Sequence, residues 1–165
     1  MHDYISSLHI TLKNLDKKLG GDIAFIQPIN EENIHDFESS IDWKLPNIFK
    51  YFYYKETNGI IIDNKRIYSI YDKTQKKTWV ENLSRMNNPE TSPWFNGRPN
   101  IFKDYLIIGN DNDTIFCLSK KYDISNPSIY ICKNSNSSKG VDLNKLNLDL
   151  EALIIEMVKQ AFEVC

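Results

Sequence analysis

Cysteine, histidine and glycine are scarce in this chain of 165 residues, which contains three, three and six of them. An odd number of cysteines cannot pair completely, and Cys117, Cys132 and Cys165 show no CxxC spacing, so reduced thiols are expected. Cys117 and Cys132 stand in apolar stretches and are predicted to be small buried core residues. The histidines lack the HxxxH spacing of a zinc site, and the sequence predicts neither a metal nor a cofactor.

Long hydrophobic runs are also missing. The first 25 residues interleave charged and apolar side chains and lack the continuous apolar segment of a secretory signal peptide. A membrane span needs about 18 consecutive apolar residues, whereas the apolar runs here are only a few residues long. The sequence therefore predicts a cytoplasmic protein with no membrane partner.

No charge of one sign dominates, since 20 basic residues oppose 22 acidic ones and the net charge is -2. This balance gives no electrostatic reason to expect a nucleic acid or an anionic membrane as the main ligand. The composition is 41% hydrophobic and 25% charged, which is ordinary for a globular protein. A chain of this length can bury a core of its own, and a single domain over residues 1–165 is expected.

Common catalytic motifs are absent too. The chain has no GxSxG elbow, P-loop, GxGxxG or HExxH sequence, so we do not expect an enzyme and assign no catalytic residue. His35 lies beside Asp36 and near Glu38, but no nucleophile or pocket accompanies this trio. Residues 110–113 (NDND) begin like a calcium loop. The glycine and glutamate that an EF-hand needs at its sixth and twelfth positions are missing, so a hairpin turn is predicted instead.

The most regular pattern lies between residues 30 and 62, where two short helices are predicted in succession. Asn30 is a suitable N-cap, and the helix dipole favours the negative charges of Glu31 and Glu32 in the first turn. Apolar residues then recur at helical spacing, and a Leu-Pro pair ends this helix and starts the second one. These apolar and boundary residues are Ile34, Phe37, Ile41, Leu45 and Pro46.

The second helix has three aromatic residues on one face, and Asn58-Gly59 is predicted to close it because glycine reaches the left-handed conformation of a C-cap. Residues 60–62 follow as an apolar strand. A tight turn at residues 63–64 then leads into a partner strand over residues 66–71. The aromatic residues of the helix are Phe49, Phe52 and Tyr53.

Apolar periodicity elsewhere predicts helices at both ends of the chain, a short helix capped by Thr78, and three further strands. The predicted fold is α+β: a mostly antiparallel sheet of about five to six strands, with the N-terminal, motif and C-terminal helices packed on it. The helices cover residues 5–19, residues 79–86 and the chain from residue 149 onward, and the strands cover residues 105–109, 114–119 and 128–132.

One pattern of positions spans both the helix pair and the later strands. Its members are Ile34, Glu38, Leu45, Pro46, Phe49, Asn58, Gly59, residues 106–111 (LIIGND) and residues 115–118 (IFCL). This pattern resembles the SUKH superfamily, which includes bacterial immunity proteins against toxins and fungal regulators of cell-wall synthesis. The resemblance covers roughly residues 31–118 and implies a SUKH-like fold with a binding function. A glycine that relatives usually have before the Leu-Pro pair is absent here, as is one they often have in the turn at residues 110–113.

Two features offer candidate partner-binding residues. Residues 87–100 (NNPETSPWFNGRPN) contain three prolines and an Asn-Gly pair and must form a loop, and loops of this length are uncommon unless they are functional or disordered. The outer face of the first motif helix is acidic and suits a basic partner such as a nuclease toxin, although an ordinary solvated helix face is the alternative. The candidates are Trp94, Phe95 and Arg98 in the loop, and Glu31, Glu32, Asp36, Glu38 and Asp42 on the helix.

A basic stretch between residues 65 and 85 has six basic residues against two acidic ones. Aromatic residues interleaved with such charges can stack on nucleic-acid bases. Tyr68, Tyr71 and Trp79 follow strand and helix periodicity instead, so they are predicted to pack inside the fold. The basic residues are Lys65, Arg66, Lys73, Lys76, Lys77 and Arg85.

Together with the resemblance, these features predict a non-enzymatic protein-binding module. The specific expectation is an immunity protein that binds and neutralises a toxin domain encoded nearby. A regulatory scaffold that recruits cellular enzymes is the alternative, and an enzyme with an unrecognised site is a third hypothesis.

Overall fold

The computed structural model describes residue 14 and residues 23–94, 101–121, 127–133 and 143–163. Apart from Asn14, which is helical, the predicted N-terminal helix over residues 5–19 lies outside this part of the chain. Phe95, Arg98 and Cys165 also lie outside it.

The described strands form one seven-stranded antiparallel sheet. The spatial order of the strands equals their order in the chain, so each strand pairs with the next one along the sequence. The α+β prediction is confirmed, with seven described strands where about five to six were expected. The strands are β1 (Ile23–Phe25), β2 (Ile60–Ile62), β3 (Lys65–Ile67), β4 (Tyr105–Asp111), β5 (Thr114–Ser119), β6 (Ile129–Lys133) and β7 (Leu143–Leu146).

Polar residues with left-handed backbone form the tight turns of this sheet. Asp63 has a φ of 51° between β2 and β3, and Asn112 has a φ of 48° between β4 and β5. Aspartate and asparagine tolerate this conformation better than most residues do, because their short side chains bond to the local backbone. The sequence NDND therefore serves as a hairpin turn, with Asp111 paired in register with Thr114.

Gly109 lets β3 and β4 approach each other closely. A Cβ atom at this position would lie 2.1 Å from the carbonyl oxygen of Arg66, a distance that no real side chain tolerates. The register of β4 against β5 also shifts between Ile107 and Gly109, as at a β-bulge. This glycine is therefore required by the geometry of the sheet.

The described helices pack on the sheet through their apolar faces. Both α3 and α4 contact β4, and α5 contacts β2. A π-helical turn, Phe52–Glu56, continues α2, and a 3₁₀ turn, Lys76–Thr78, precedes α3. The α-helices are α1 (Glu31–Ser40), α2 (Asn47–Tyr51), α3 (Leu83–Met86), α4 (Ile101–Asp104) and α5 (Leu150–Glu163).

The central strands are buried on both faces. In β4, Leu106, Ile107 and Ile108 are all buried, although successive strand residues point to opposite sides of a sheet. Cys117 and Cys132 are buried, as predicted, and burial raises the pKa of the Cys117 thiol. The near-continuous apolar strands therefore form the middle of the protein core.

One helix prediction needs correction. The helix predicted over residues 79–86 begins only at Leu83, and its N-cap is Asn82, whose side chain accepts a hydrogen bond from the backbone N–H of Arg85. Thr78 belongs to the preceding 3₁₀ turn. In α5, Glu151 is half-buried, and burial raises the pKa of its carboxyl, with the nearby charge of Asp149 adding to the effect.

Candidate functional site

Glu38 joins the two motif helices from the inside. Its side chain is only 4% exposed, and its carboxylate accepts hydrogen bonds from the backbone N–H of Leu45 (2.8 Å) and from Lys44 Nζ (3.0 Å). Lys50 Nζ forms a salt bridge at 3.0 Å with Glu38 Oε1, the oxygen that also accepts the Leu45 N–H. The assignment of Glu38 to an acidic outer face was therefore wrong, because this residue fastens the end of α1 to the start of α2.

The charge of Glu38 is stabilised in the folded protein. Burial alone raises the pKa of this carboxyl, but the bonds from Lys50, Lys44 and the Leu45 N–H outweigh the burial and bring the pKa below its ordinary value. Glu38 is therefore an ionised structural residue, and it is not free to bind a partner.

The remaining acidic residues of α1 do face solvent. Asn30 caps the helix by accepting a hydrogen bond from the backbone N–H of Asn33, as predicted. Glu31, Glu32 and Asp36 are exposed, and none of them forms a salt bridge with a residue in the described part of the chain. The outer face of α1 therefore carries negative charge that no salt bridge within the described residues compensates.

A loop opposite α1 displays large apolar side chains. We call residues 70–81 the aromatic loop. Within it, Tyr71 is 48% exposed, Trp79 is 50% exposed and Val80 is 62% exposed, and they are the large apolar residues with exposed side chains in the described structure. The prediction that Tyr71 and Trp79 pack inside the fold was wrong, whereas Tyr68 is buried as predicted.

Internal hydrogen bonds hold the aromatic loop in shape. Asp72 accepts bonds from the N–H and hydroxyl of Thr74 and from the Gln75 side chain. Burial raises the pKa of Asp72, but these bonds outweigh it and leave the pKa below its ordinary value. Thr78 Oγ1 both accepts from the Asp72 N–H (2.9 Å) and donates to its carbonyl (2.8 Å), which ties the two arms of the loop together.

The base of the aromatic loop is anchored to the sheet. Ser69 and Asn82 form an isolated parallel bridge there, and Arg66 forms a salt bridge with Glu81. The loop also carries three exposed lysines that have no salt bridge with any described residue. They are Lys73, Lys76 and Lys77.

Asn58 supports the start of the aromatic loop from below. It is fully buried, and its amide group donates to the carbonyl of Ile70 and accepts from the Ile70 N–H, both at 2.8 Å. Asn58-Gly59 was predicted to close the second helix, but the helical turn ends at Glu56, and Gly59 has a φ of 106° within the connection to β2. The Asn-Gly pair therefore positions the loop instead of capping the helix.

A groove runs between α1 and the aromatic loop, and we call it the α1 groove. Its volume is about 520 Å³. One wall is the acidic face of α1, the other is the segment of residues 71–74, and Phe37 and Ile70 contribute apolar surface. The lining residues are Asn30, Glu32, Asn33, Asp36, Phe37, Ser40, Ile70, Tyr71, Asp72, Lys73, Thr74 and Ser84.

Trp94 is fixed to the sheet through its indole N–H. This group donates to the hydroxyl of Tyr68 at 3.0 Å, and that hydroxyl donates to Asn110 Oδ1 at 2.8 Å. Burial raises the pKa of Tyr68 to about 12, against smaller lowering effects of the Trp94 bond and the Arg66 charge. Trp94 is half-buried as a result and is less available than Trp79.

Other chemistry-bearing residues do not converge in the described structure. His35 is exposed and lines a separate hollow of about 380 Å³ between α1 and α2, beside Tyr51 and Tyr54. No three His, Cys, Asp or Glu residues of the described segments form a group that could hold a metal ion. No helix in these segments is long and apolar enough to cross a membrane.

Comparison with known families gives one clear result. A sequence model described as the SMI1 / KNR4 family (SUKH-1) matches residues 28–155. The matched range begins just before α1 and ends within α5, so it contains both walls of the α1 groove and the whole aromatic loop. No curated protein matches the chain.

Proposed function

Because this chain belongs to the SMI1 / KNR4 family (SUKH-1), we propose that it is a protein-binding module, and specifically an immunity protein that binds a toxin domain and covers the toxin's active surface. The resemblance to SUKH immunity proteins motivates the toxin partner. The surface formed by the aromatic loop and the outer face of α1 supports a binding function.

The observation that carries this proposal is the exposure of Tyr71, Trp79 and Val80 on one short loop. Tryptophan and tyrosine are enriched among the residues that contribute most to protein–protein affinity. Large apolar side chains that cluster on a surface commonly mark an interaction site. The aromatic loop is therefore the best candidate for the centre of an interface.

The rigidity of the loop favours the same function. Its backbone is held by the Asn58, Asp72 and Thr78 hydrogen bonds before any partner arrives. A preorganised surface loses less conformational entropy on binding, so more of the contact energy appears as affinity. Trp79 would then insert into a pocket of the partner with little rearrangement of this protein.

The charged residues around the loop would select the partner. Unpaired charges at the rim of an interface steer association and disfavour partners of the wrong charge. Glu31, Glu32 and Asp36 lie on the acidic side of this surface. We propose that Trp94, Phe95 and Arg98 extend the interface from the segment that follows α3.

Co-expression with the product of the neighbouring gene tests the proposal. The unmodified protein should bind that product and relieve its toxicity. The double substitution Trp79→Ala/Val80→Ala should weaken binding at least about 30-fold, since a single hot spot such as a buried tryptophan contributes about 2 kcal/mol or more. A matched double substitution on the exposed face of α5, Glu156→Ala/Lys159→Ala, should leave binding unchanged.

Two outcomes would count against the immunity function. If the neighbouring product is not bound, or if its toxicity persists in the presence of this protein, the toxin partner is wrong. Binding to a cellular enzyme without any toxin-like neighbour would instead support the regulatory scaffold, with the same aromatic loop as the surface to test.

A further inference from the structure

The α1 groove has an unusual charge arrangement for its size. Glu32 and Asp36 lie on one wall, one helical turn apart, and among the described lining residues Lys73 is the only cation. Like charges at this helical spacing repel each other. A cation placed between these two carboxylates would remove that repulsion.

The third carboxylate of the groove is not available to a ligand. Asp72 already accepts hydrogen bonds from Thr74 and Gln75, which hold the turn of the aromatic loop. Glu32 and Asp36 have no comparable partners in the described structure. The α1 wall therefore presents the free negative charge, and the opposite wall presents a rigid turn.

The apolar parts of the groove suit a long side chain with a charged end. Phe37 and Ile70 are buried beneath it, and the half-exposed ring of Tyr71 forms part of the opposite wall. An arginine side chain has an apolar stem and a planar guanidinium that pairs with carboxylates and stacks on aromatic rings. Lysine lacks the planar group and matches Tyr71 less well.

We infer that the α1 groove receives an arginine side chain from a basic segment of the partner protein, with the guanidinium between Glu32, Asp36 and the Tyr71 ring. This inference rests on the proposed protein-binding function and specifies the chemistry of the partner. Lys73 opposes such a ligand by charge repulsion. Its removal should therefore strengthen binding, whereas removal of the carboxylates should weaken it.

The peptide acetyl-Arg-Arg-Arg-Arg-amide serves as the probe, titrated into isotope-labelled protein and followed by NMR at low salt. Backbone signals of residues 31–40 and 70–74 should shift. The variant Glu32→Gln/Asp36→Asn should bind about tenfold more weakly, because it removes two attractive charges, and Lys73→Ala should bind about twofold more tightly, because it removes one repulsive charge at a solvent-exposed position. High salt should reduce all of these affinities.

The control variant Glu90→Gln/Asp113→Asn removes the same charge from exposed positions that do not line the groove. If it weakens binding as much as Glu32→Gln/Asp36→Asn, the peptide senses only net charge and the groove is not its site. Comparable shifts with acetyl-Glu-Glu-Glu-Glu-amide would also overturn the inference. If the peptide binds at the groove but the protein does not bind the product of the neighbouring gene, that result contradicts the toxin function and leaves the inference about the groove standing.

Discussion

The side-chain amide of Asn58 forms a reciprocal pair of hydrogen bonds with the backbone of Ile70, and each bond is 2.8 Å long. These two bonds resemble the pair of backbone hydrogen bonds that a neighbouring strand would form, and they lie just beyond the end of β3. A residue from the helix–strand connection thus sets the position of the aromatic loop. It links the motif that identifies the fold to the surface that we assign to partner binding.

Asn58→Ala should strongly destabilise the protein. The substitution leaves the buried N–H and C=O of Ile70 without partners, and each such group costs about 1–3 kcal/mol. We expect a loss of about 3 kcal/mol in the free energy of unfolding, measured by urea denaturation. Asn144→Ala, at an exposed position of β7, should change it by less than about 0.5 kcal/mol. Equal losses of unfolding free energy in the two variants would show that the Asn58 hydrogen bonds stabilise the protein no more than an exposed asparagine side chain does.

Glu38 should make the free energy of unfolding depend on pH in the acidic range. Its folded pKa lies below the ordinary value of 4.5, so its contribution is present above pH 4.5 and is lost as the pH falls through the folded pKa. Glu38→Gln should therefore lower the urea midpoint at pH 7 and lose less stability than the unmodified protein on going to about pH 3.5.

The control for Glu38 is Glu32→Gln, which removes an exposed carboxylate that has no described salt bridge. Its acid dependence should follow that of the unmodified protein. If Glu38→Gln shows that same dependence, the three bonds to Glu38 do not stabilise its charge in solution.

Gly109→Ala should prevent normal pairing of β3 with β4. The new methyl group would lie 2.1 Å from the carbonyl oxygen of Arg66, and only a backbone shift can relieve that overlap. We expect a loss of more than about 3 kcal/mol in unfolding free energy, or failure to accumulate as folded protein. Lys133→Ala, at an exposed position of β6, should fold normally, and a fully stable Gly109→Ala protein would show that β3 and β4 are not so close.

Tyr68→Phe should loosen Trp94. The lost hydroxyl accepts a hydrogen bond from the Trp94 indole N–H and donates one to Asn110 Oδ1, so two polar groups lose a partner. The free energy of unfolding should therefore fall by about 1–2 kcal/mol. The indole N–H of Trp94 should also exchange faster with solvent by NMR. Tyr105→Phe, in a tyrosine that packs edge-on against Tyr130, is the matched control and should leave this exchange rate unchanged.

Much of the fold was accessible from local patterns. The N-cap at Asn30, the Leu-Pro break and the central hairpins appear where they were predicted. Each depends on neighbours in the chain, such as a cap, a turn residue or an apolar period. Strand β7 was missed because its sequence, LNKL, is short, half-polar and only partly buried.

The candidate site was less accessible. Exposed acidic residues on α1 were identified, but Glu38 was placed with them, although its partners include residues six, seven and twelve positions later in the chain. The two ends of the aromatic loop were predicted to be regular structure, since Tyr71 fits the period of a strand and Trp79 fits that of a helix. A stronger signal was the Asp72-Lys73-Thr74 segment, which favours a turn and interrupts those periods.

The amino-acid sequence by itself determined the class of fold, the helix pair, the turns and the family, because these depend on short-range periodicity, caps and backbone preferences. Only the tertiary structure decided which polar residues are structural and which aromatic residues face solvent. Burial depends on which distant parts of the chain pack against a residue. Glu38 was therefore expected to be exposed and is buried, whereas Trp79 was expected to be buried and is exposed, and neither difference could be recognised from the local sequence pattern.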